Sequence, residues 1–356
     1  MLQHWPEWSV TQLTAAINQV PYVPGIIGTL NLFDPRPGSL TTATIERQGN
    51  SLALVPAVPR GAPPSANIEG GRDILDLRIP HFPINDTILA DEVQDVRAFG
   101  RMDLQSFPVV VQQRLNSLGR KLDATLEHLR LGAVRGQVIT RVNRDTGAPE
   151  LSVNLFDAFG VVAPSTVGFE FSTVGGSEWL GLVTTTINGI IQTMEDELGA
   201  SPPGVVALCG TSFWNALMVT AEVRDAVRYA DASLLVGNAS GGPIANPQPR
   251  PQSFQYRGVT FIRYAGRVGA YQFLDPATAQ FIPVGVPDLF VEAYAPADYI
   301  ETVNTPGLPR YAKQEPLDFG RGAMLEAQMN VLPICTQPRC LIKATFSMET
   351  PNEPTP

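Results

Sequence analysis

Lysine, histidine and cysteine each occur only three times in these 356 residues, and each scarcity removes a class of function. The lysines, Lys121, Lys313 and Lys343, follow Arg120, Ala312 and Ile342. A phosphate-cradling loop needs its lysine directly after a glycine, so that loop is absent. Gly320-Arg321-Gly322 leads to Leu325 where a dinucleotide-binding turn needs a third glycine. Of the histidines, His4 lies in the N-terminal stretch, His81 between Pro80 and Phe82, and His128 beside an apolar helical stripe. A serine hydrolase would have to pair His81 with a distant serine, and no Gly-x-Ser-x-Gly elbow accompanies it. Cys335 and Cys340 are spaced like half of a zinc site, but the second pair is missing and Cys209 stands alone. Such an odd, scattered set suits free thiols in a reducing compartment.

Long apolar runs are also missing. No stretch reaches 18 apolar residues, and "MLQHWPEWSV" has neither a basic nor an apolar leader, so we expect no membrane span and no signal peptide. Basic residues are in deficit, 25 against 34 acidic, for a net charge of −9. That balance repels phosphate backbones and argues against a sequence-specific nucleic-acid reader. The preference for Arg over Lys suits planar pairing at interfaces, although genome composition explains it as well. Asp91, Glu92 and Asp95, like Glu195, Asp196 and Glu197, read as solvated helix faces. The sequence therefore predicts no catalytic, cofactor-binding or metal-ligating residues, and no enzyme.

What is abundant is glycine and proline, 31 and 32 residues, about 18% of the chain against roughly 12% in average usage. This excess predicts turns and extended arms. "SVTQLTAAINQ", residues 9–19, reads as a short helix capped by Ser9. The proline-punctuated arm behind it carries Ile26, Ile27, Leu30, Leu32 and Phe33, which must lie on the parent domain or on a neighbour. Residues 41–48 and 51–58 read as strands joined at Gly49-Asn50, within a long hairpin excursion over 41–85 whose tip is the loop 59–71. "DTILADEVQDVRAFG" reads as a short helix with acids in its first turns. Pro108 then opens the strongest helix, where Val111, Leu115, Leu118, Leu122, Leu126 and Leu129 form one stripe with Asp123 and Glu127 away from it. A hairpin over 137–156 follows. From about residue 161 helix and strand alternate: a helix carrying Ile187, Ile190, Ile191, Met194 and Leu198, the strand "GVVALCG", a helix capped by Thr211, and a hairpin around Gly258. The last strands read as interrupted at Pro333 and Pro338. "YAPADYIETVNTPGLPRYAKQEP", residues 294–316, fits neither period and reads as backbone shaped to meet another chain.

That stretch, followed by "LEAQMNVLPICTQPRCLIK", resembles the C-terminal signature of the phage major capsid protein E family, which includes the lambda head protein. "LVPAVPRG", "IPHFPINDTILADEVQDVRAFG", "HLRLGAVRGQVI", "LCGTSFWNAL" and "GVPDLFVEAYAPADY" occur in that family's order, so the resemblance spans nearly the whole chain. Met329, Val331 and Gln337 depart from its pattern. The resemblance implies an α+β fold of the Hong Kong 97 capsid type. It places an N-terminal arm at 1–40, an E-loop at 41–86, a peripheral (P) domain with its spine helix at 87–160, an axial (A) domain at 161–305, and a C-terminal return to the P-domain at 306–356. Residues 294–316 become a crossover between domains. It further implies a major capsid protein that self-assembles, as hexamers and pentamers, into the icosahedral head shell around the double-stranded DNA of a tailed phage. Its partners would be copies of itself, a separate scaffolding protein, a portal and a decoration protein, without sequence-specific DNA binding. The virion is its location, after assembly in the host cytoplasm. Because arm-like sequence begins almost at Met1, little or no cleavage of the chain is expected. The competing readings are a tail-tube or other phage assembly protein, against which the long helix argues, and the hydrolase using His81.

Overall fold

The computed structural model describes residues 8–19, 25–48, 72–93, 107–142, 149–173, 181–229, 252–268 and 271–349. In chain order the first elements are α1 (Val10–Gln19), α2 (Ile26–Thr29), β1 (Asp34–Pro37), β2 (Thr42–Gln48), β3 (Arg72–Arg78), β4 (His81–Leu89), α3 (Ala90–Val93) and α4 (Phe107–Val134). Next come β5 (Gln137–Val142), β6 (Pro149–Asn154), α5 (Leu155–Ala158), β7 (Val167–Ser172), α6 (Leu182–Leu198), β8 (Gly204–Cys209), α7 (Thr211–Val219) and α8 (Ala221–Tyr229). The remaining elements are the strands β9 (Ser253–Tyr256), β10 (Val259–Arg263), β11 (Arg267–Val268), β12 (Tyr271–Gln272), β13 (Thr278–Val284), β14 (Phe290–Tyr294), β15 (Tyr311–Pro316), β16 (Gly322–Cys335) and β17 (Ile342–Glu349), with 3₁₀ turns at Ile300–Thr302, Asp318–Gly320 and Pro338–Cys340.

The helix α4 begins where expected, with Pro108 in its first turn, where a missing N–H removes no helical bond. Its six stripe residues are all buried. The stripe cannot form without a surface to cover it, and β16, β4 and β5 supply that surface. At the other end of the chain, α1 is held by a capping box in which Ser9 Oγ accepts from the Gln12 amide at 3.2 Å and Gln12 Oε1 accepts from the Ser9 amide at 3.1 Å. Two cap expectations change. The helix expected from Asp86 is strand through Leu89, because Asp86–Leu89 pair with Leu325–Gly322 of β16; only Ala90–Val93 is helical, and 94–106 lie outside the described residues. Thr211 is the first residue of α7 and not its cap: Gly210 holds that position, and Pro276 O receives the Ser212 and Phe213 amides.

Two sheets organise the molecule. The first runs β1-β14-β16-β15, with β4 also on β16; the second runs β7-β17-β13-β8-β10-β9. This corrects the boundary at 305. β14 was expected within the 161–305 unit but pairs with β16, and β17 was expected to return beside α4 but lies between β7 and β13. The chain crosses between sheets after β13 and again after β16, and neither the fully buried β14 nor the half-exposed β17 gives a local sign of which sheet receives it. β2 pairs with β3 along its whole length as the long hairpin predicts, while β4 belongs to the first sheet; the Gly49-Asn50 turn and the loop 59–71 lie outside the described residues. The hairpins β5–β6 and β9–β10 match expectation, the latter turning through Arg257 and Gly258 at φ 49° and +81°.

Pro333 does not interrupt β16, which continues to Cys335. Along this edge Asn330 O and the Thr336 amide bond to Ala295 and Leu289. Residues facing a partner alternate, so position 333 points its nitrogen away from β14 and the missing N–H costs no ladder bond. Pro338, as expected, does break the chain, opening the turn Pro338–Cys340. On the exposed edge, Pro35 and Pro37 of β1 keep further strands from adding.

The second sheet is held by aromatics. Phe169 stacks on Phe281 at 5.7 Å and meets Phe213 edge-on at 5.5 Å, and all three are fully buried. Each such side chain contributes about 1.5–3 kcal/mol by burial. The side of α6 facing them carries Ile187, Ile190 and Met194, with Ile191 and Leu198 at the half-buried margin.

Residues 295–310 are not a crossover between domains. They leave β14 and rejoin β15, both antiparallel to β16 at successive registers, so the excursion starts and ends on one partner strand. It is folded on itself. Thr302 Oγ1 donates to Ala297 O at 2.9 Å, the Leu308 amide to Tyr311 Oη at 2.8 Å, and the Gly307 amide to Gly38 O at 2.8 Å. Gly307 is required by close approach, since a Cβ there would sit 2.6 Å from the Tyr294 carbonyl. Gly307→Ala should cost about 1–3 kcal/mol by overpacking. Urea unfolding of the variant against Gly258→Ala, whose Cβ meets nothing within 4 Å, separates crowding from backbone strain.

Candidate functional site

No catalytic constellation forms among the described residues. His81 Nδ1 lies 2.7 Å from Asn330 Oδ1, and Asn330 Nδ2 donates to Pro296 O at 2.8 Å. The partner of His81 is thus an amide within a strand contact, with no serine in the network. His128 packs against Tyr271 and Phe273 at 5.5 and 5.0 Å between ring centroids, and burial, aided by the Arg135 charge, pushes its pKa down. Cys335 and Cys340 are buried side by side as free thiols, and burial raises the Cys335 thiol, as it does that of Cys209. No group of three His, Cys, Asp or Glu suited to a metal occurs among the described residues. Glu92 pairs with Arg114 at 2.7 Å and Glu197 with Arg339 at 2.6 Å, while Glu195 accepts from Ser201; these acids make surface contacts. His4 and Asp95 lie outside the described residues.

What the fold does bring together is a row of charges on α4. Asp123, Glu127 and Arg130 are spaced four and three apart, which puts them on one helix face. The sequence placed Asp123 and Glu127 away from the apolar stripe; both are nonetheless buried, at 4% and 6% exposure. Each fastens a different part of the chain. Asp123 forms an ion pair with Arg310 of the excursion, and Arg310 also donates to Ile17 O of α1 at 3.2 Å. The Asn18 side chain donates to Arg310 O at 2.9 Å, tying α1 to the same point.

Glu127 caps α2. Oε1 accepts from the Ile27 amide at 2.9 Å and from Tyr264 Oη at 3.4 Å, and Oε2 accepts from the Gly28 amide at 3.2 Å. Gly25 has no side chain because a Cβ would overlap this carboxyl. Desolvation raises the Glu127 pKa, against the lowering by the two amides, Arg130 and Tyr264. Arg130 completes the row with a bidentate pair to Glu292 of β14 at 2.6 and 2.9 Å, and its guanidinium lies over Phe33 of the arm at 5.8 Å. Tyr294 Oη donates to the same Glu292 at 2.6 Å. Ile27 is fully buried and Phe33 nearly so, so the described part of the arm settles on its own subunit. A charged row at 4,3 spacing beside an apolar stripe is the only sequence signal that pointed here.

The outward surface is of another kind. Ile300 and Phe319 are 91% and 93% exposed, and Val303, Leu308, Leu40 and Val162 are also open. Ile300 and Val303 stand three apart on and beside a 3₁₀ turn, a spacing that aligns their side chains. Phe319, at the β15–β16 tip, holds φ at 60°, an unusual conformation for a bulky side chain. Rigid backbone that presents bare apolar side chains is suited to contact between chains.

The braced long helix, the paired strands β2 and β3 and the two sheets make up a fold of the Hong Kong 97 capsid type. The solved capsid of Ralstonia phage GP4 has the same fold, at TM-score 0.56 and 11% identity over 99% of this chain and 97% of that one. A crystal structure assigned to a prophage capsid protein of E. coli CFT073 aligns at TM-score 0.59 and 13% identity, over 96% of this chain and 100% of that one. In sequence, the major capsid protein of Pseudomonas phage KPP10 is 27% identical over 94% of this chain and 95% of its own length. The match to phage major capsid protein E runs from residue 9 to 346, and the chain belongs to that family. It is a phage major capsid protein with an α+β fold.

Proposed function

We propose that copies of this chain close, as hexamers and pentamers, into the icosahedral head shell that encloses the double-stranded DNA of a tailed phage, and that the chain catalyses nothing. The family match over residues 9–346 carries this reading. The exposed Ile300, Val303, Leu308 and Phe319 support it, since repeated copies under closed symmetry give such residues somewhere to go. In this reading 1–40 is the N-terminal arm and the excursion based on β2 and β3 is the E-loop. The P-domain is built on α4 and the first sheet, and the A-domain on the second. Partners are copies of the chain, with a separate scaffolding protein, a portal and a decoration protein; assembly takes place in the host cytoplasm. No helix among the described residues is long and apolar enough to cross a membrane.

Negative-stain microscopy of the expressed protein tests the reading: shells or capsomers are expected, and tubes or dispersed monomers would overturn it. The shell should also lack covalent links from the E-loop. An isopeptide bond needs an amine that can lose its proton, and residues 41–86 hold no lysine; Arg47, Arg60, Arg72 and Arg78 stay protonated. Boiling heads in detergent should release one band near the chain mass of 38.4 kDa, where a reduction-resistant ladder would refute this.

A further inference from the structure

The face of α4 opposite its buried row is rich in amides and cations. Its exposed and half-exposed positions include Gln112, Gln113, Asn116, Ser117, Arg120 and Lys121. The only acids of α4 are Asp123 and Glu127, both turned into the core, so this face carries cations and amides without a carboxylate. The protein as a whole is acidic, with a net charge of −9. Gln113, Asn116, Ser117, Arg120, Lys121 and Ala124 line an open depression of about 500 Å³. Arg120 and Lys121 make no ion pair among the described residues, whereas Arg114, Arg130, Arg310 and Lys313 all do.

We infer that this face of α4 is turned to the shell lumen and touches the phosphate backbone of the enclosed DNA. The inference rests on the shell reading above and adds to it which surface meets the genome. Arginine and lysine pair with phosphate oxygens, and Gln, Asn and Ser donate to them without reading sequence. A protein partner would need an apolar centre to exclude water, and this depression offers only Ala124. A polyanion needs no such centre. Two cations per copy give a weak contact each, repeated over the whole shell, so DNA is located without being gripped.

The scarcity of lysine makes the test direct. DNA-filled heads, and the same heads emptied of DNA, are treated with a small amine-acylating reagent, and the three lysine-bearing peptides are quantified by mass spectrometry. Lys121 should be acylated several-fold less in filled heads and recover in emptied ones, while the exposed Lys343 stays unchanged. Equal labelling of Lys121 in both would overturn the inference. Protection in both would also overturn it, by showing that a protein, either a second copy or a scaffold, covers the face. If microscopy shows no shells at all, it is the shell reading that fails, and this inference falls with it.

Discussion

Replacing Arg310 by alanine should destabilise the subunit by about 3–5 kcal/mol, the cost of removing one member of a buried ion pair. Asp123 and Arg310 have side chains only 4% and 8% exposed, so the carboxylate would lose its guanidinium where water does not reach easily. The loss spreads, because the guanidinium also donates to Ile17 O and its removal loosens α1. Arg36→Ala is the control, since its pair with Asp288 is 58% and 72% exposed and such surface pairs contribute about 0–1 kcal/mol. Urea unfolding of both variants reads the contrast. If Arg310→Ala costs no more than Arg36→Ala, the excursion is not anchored through α4, and the exposed Ile300 and Val303 are not held ready for a neighbour.

The second large effect is expected at Glu127. Glu127→Ala removes the acceptor of the Ile27 and Gly28 amides, and a buried donor left without one costs about 1–3 kcal/mol. Hydrogen exchange at those two amides should therefore accelerate at least about tenfold, the equivalent of 1.4 kcal/mol, while amides of the second sheet stay unchanged. Glu127→Gln asks a separate question. Burial holds the native Glu127 pKa above its ordinary value, so in the window between the two the folded state binds more protons than the unfolded one. The contribution of this group is full below the ordinary carboxylate range and is lost as pH rises through the raised value. Acidification into that window should stabilise the folded subunit, and Glu127→Gln should remove this part of the stability–pH curve. An unchanged curve in the variant would show that Glu127 does not titrate differently on folding.

Much of this molecule was legible in its sequence. The 4,3 spacing from Val111 to Leu129 has one low-energy reading, a helix with one covered side, and Pro108 fixes where that helix begins. Ser9 and Gln12 mark the start of α1 by local chemistry, and Arg257-Gly258 mark a hairpin, because both signals act within four residues. Only the tertiary structure decided where β14 and β17 belong, because neither the fully buried β14 nor the half-exposed β17 carries a local mark of its partner strands. Pro333 looked like a break because proline lacks a donor, and whether that donor was needed depends on which way position 333 faces in the assembled sheet. Asp123 and Glu127 fall outside the apolar stripe, and isolated carboxylates avoid burial, so their place in the core has no local sign. Their partners, Arg310 and the Ile27 and Gly28 amides, lie about a hundred residues or more away along the chain, and no local pattern shows that such groups will meet.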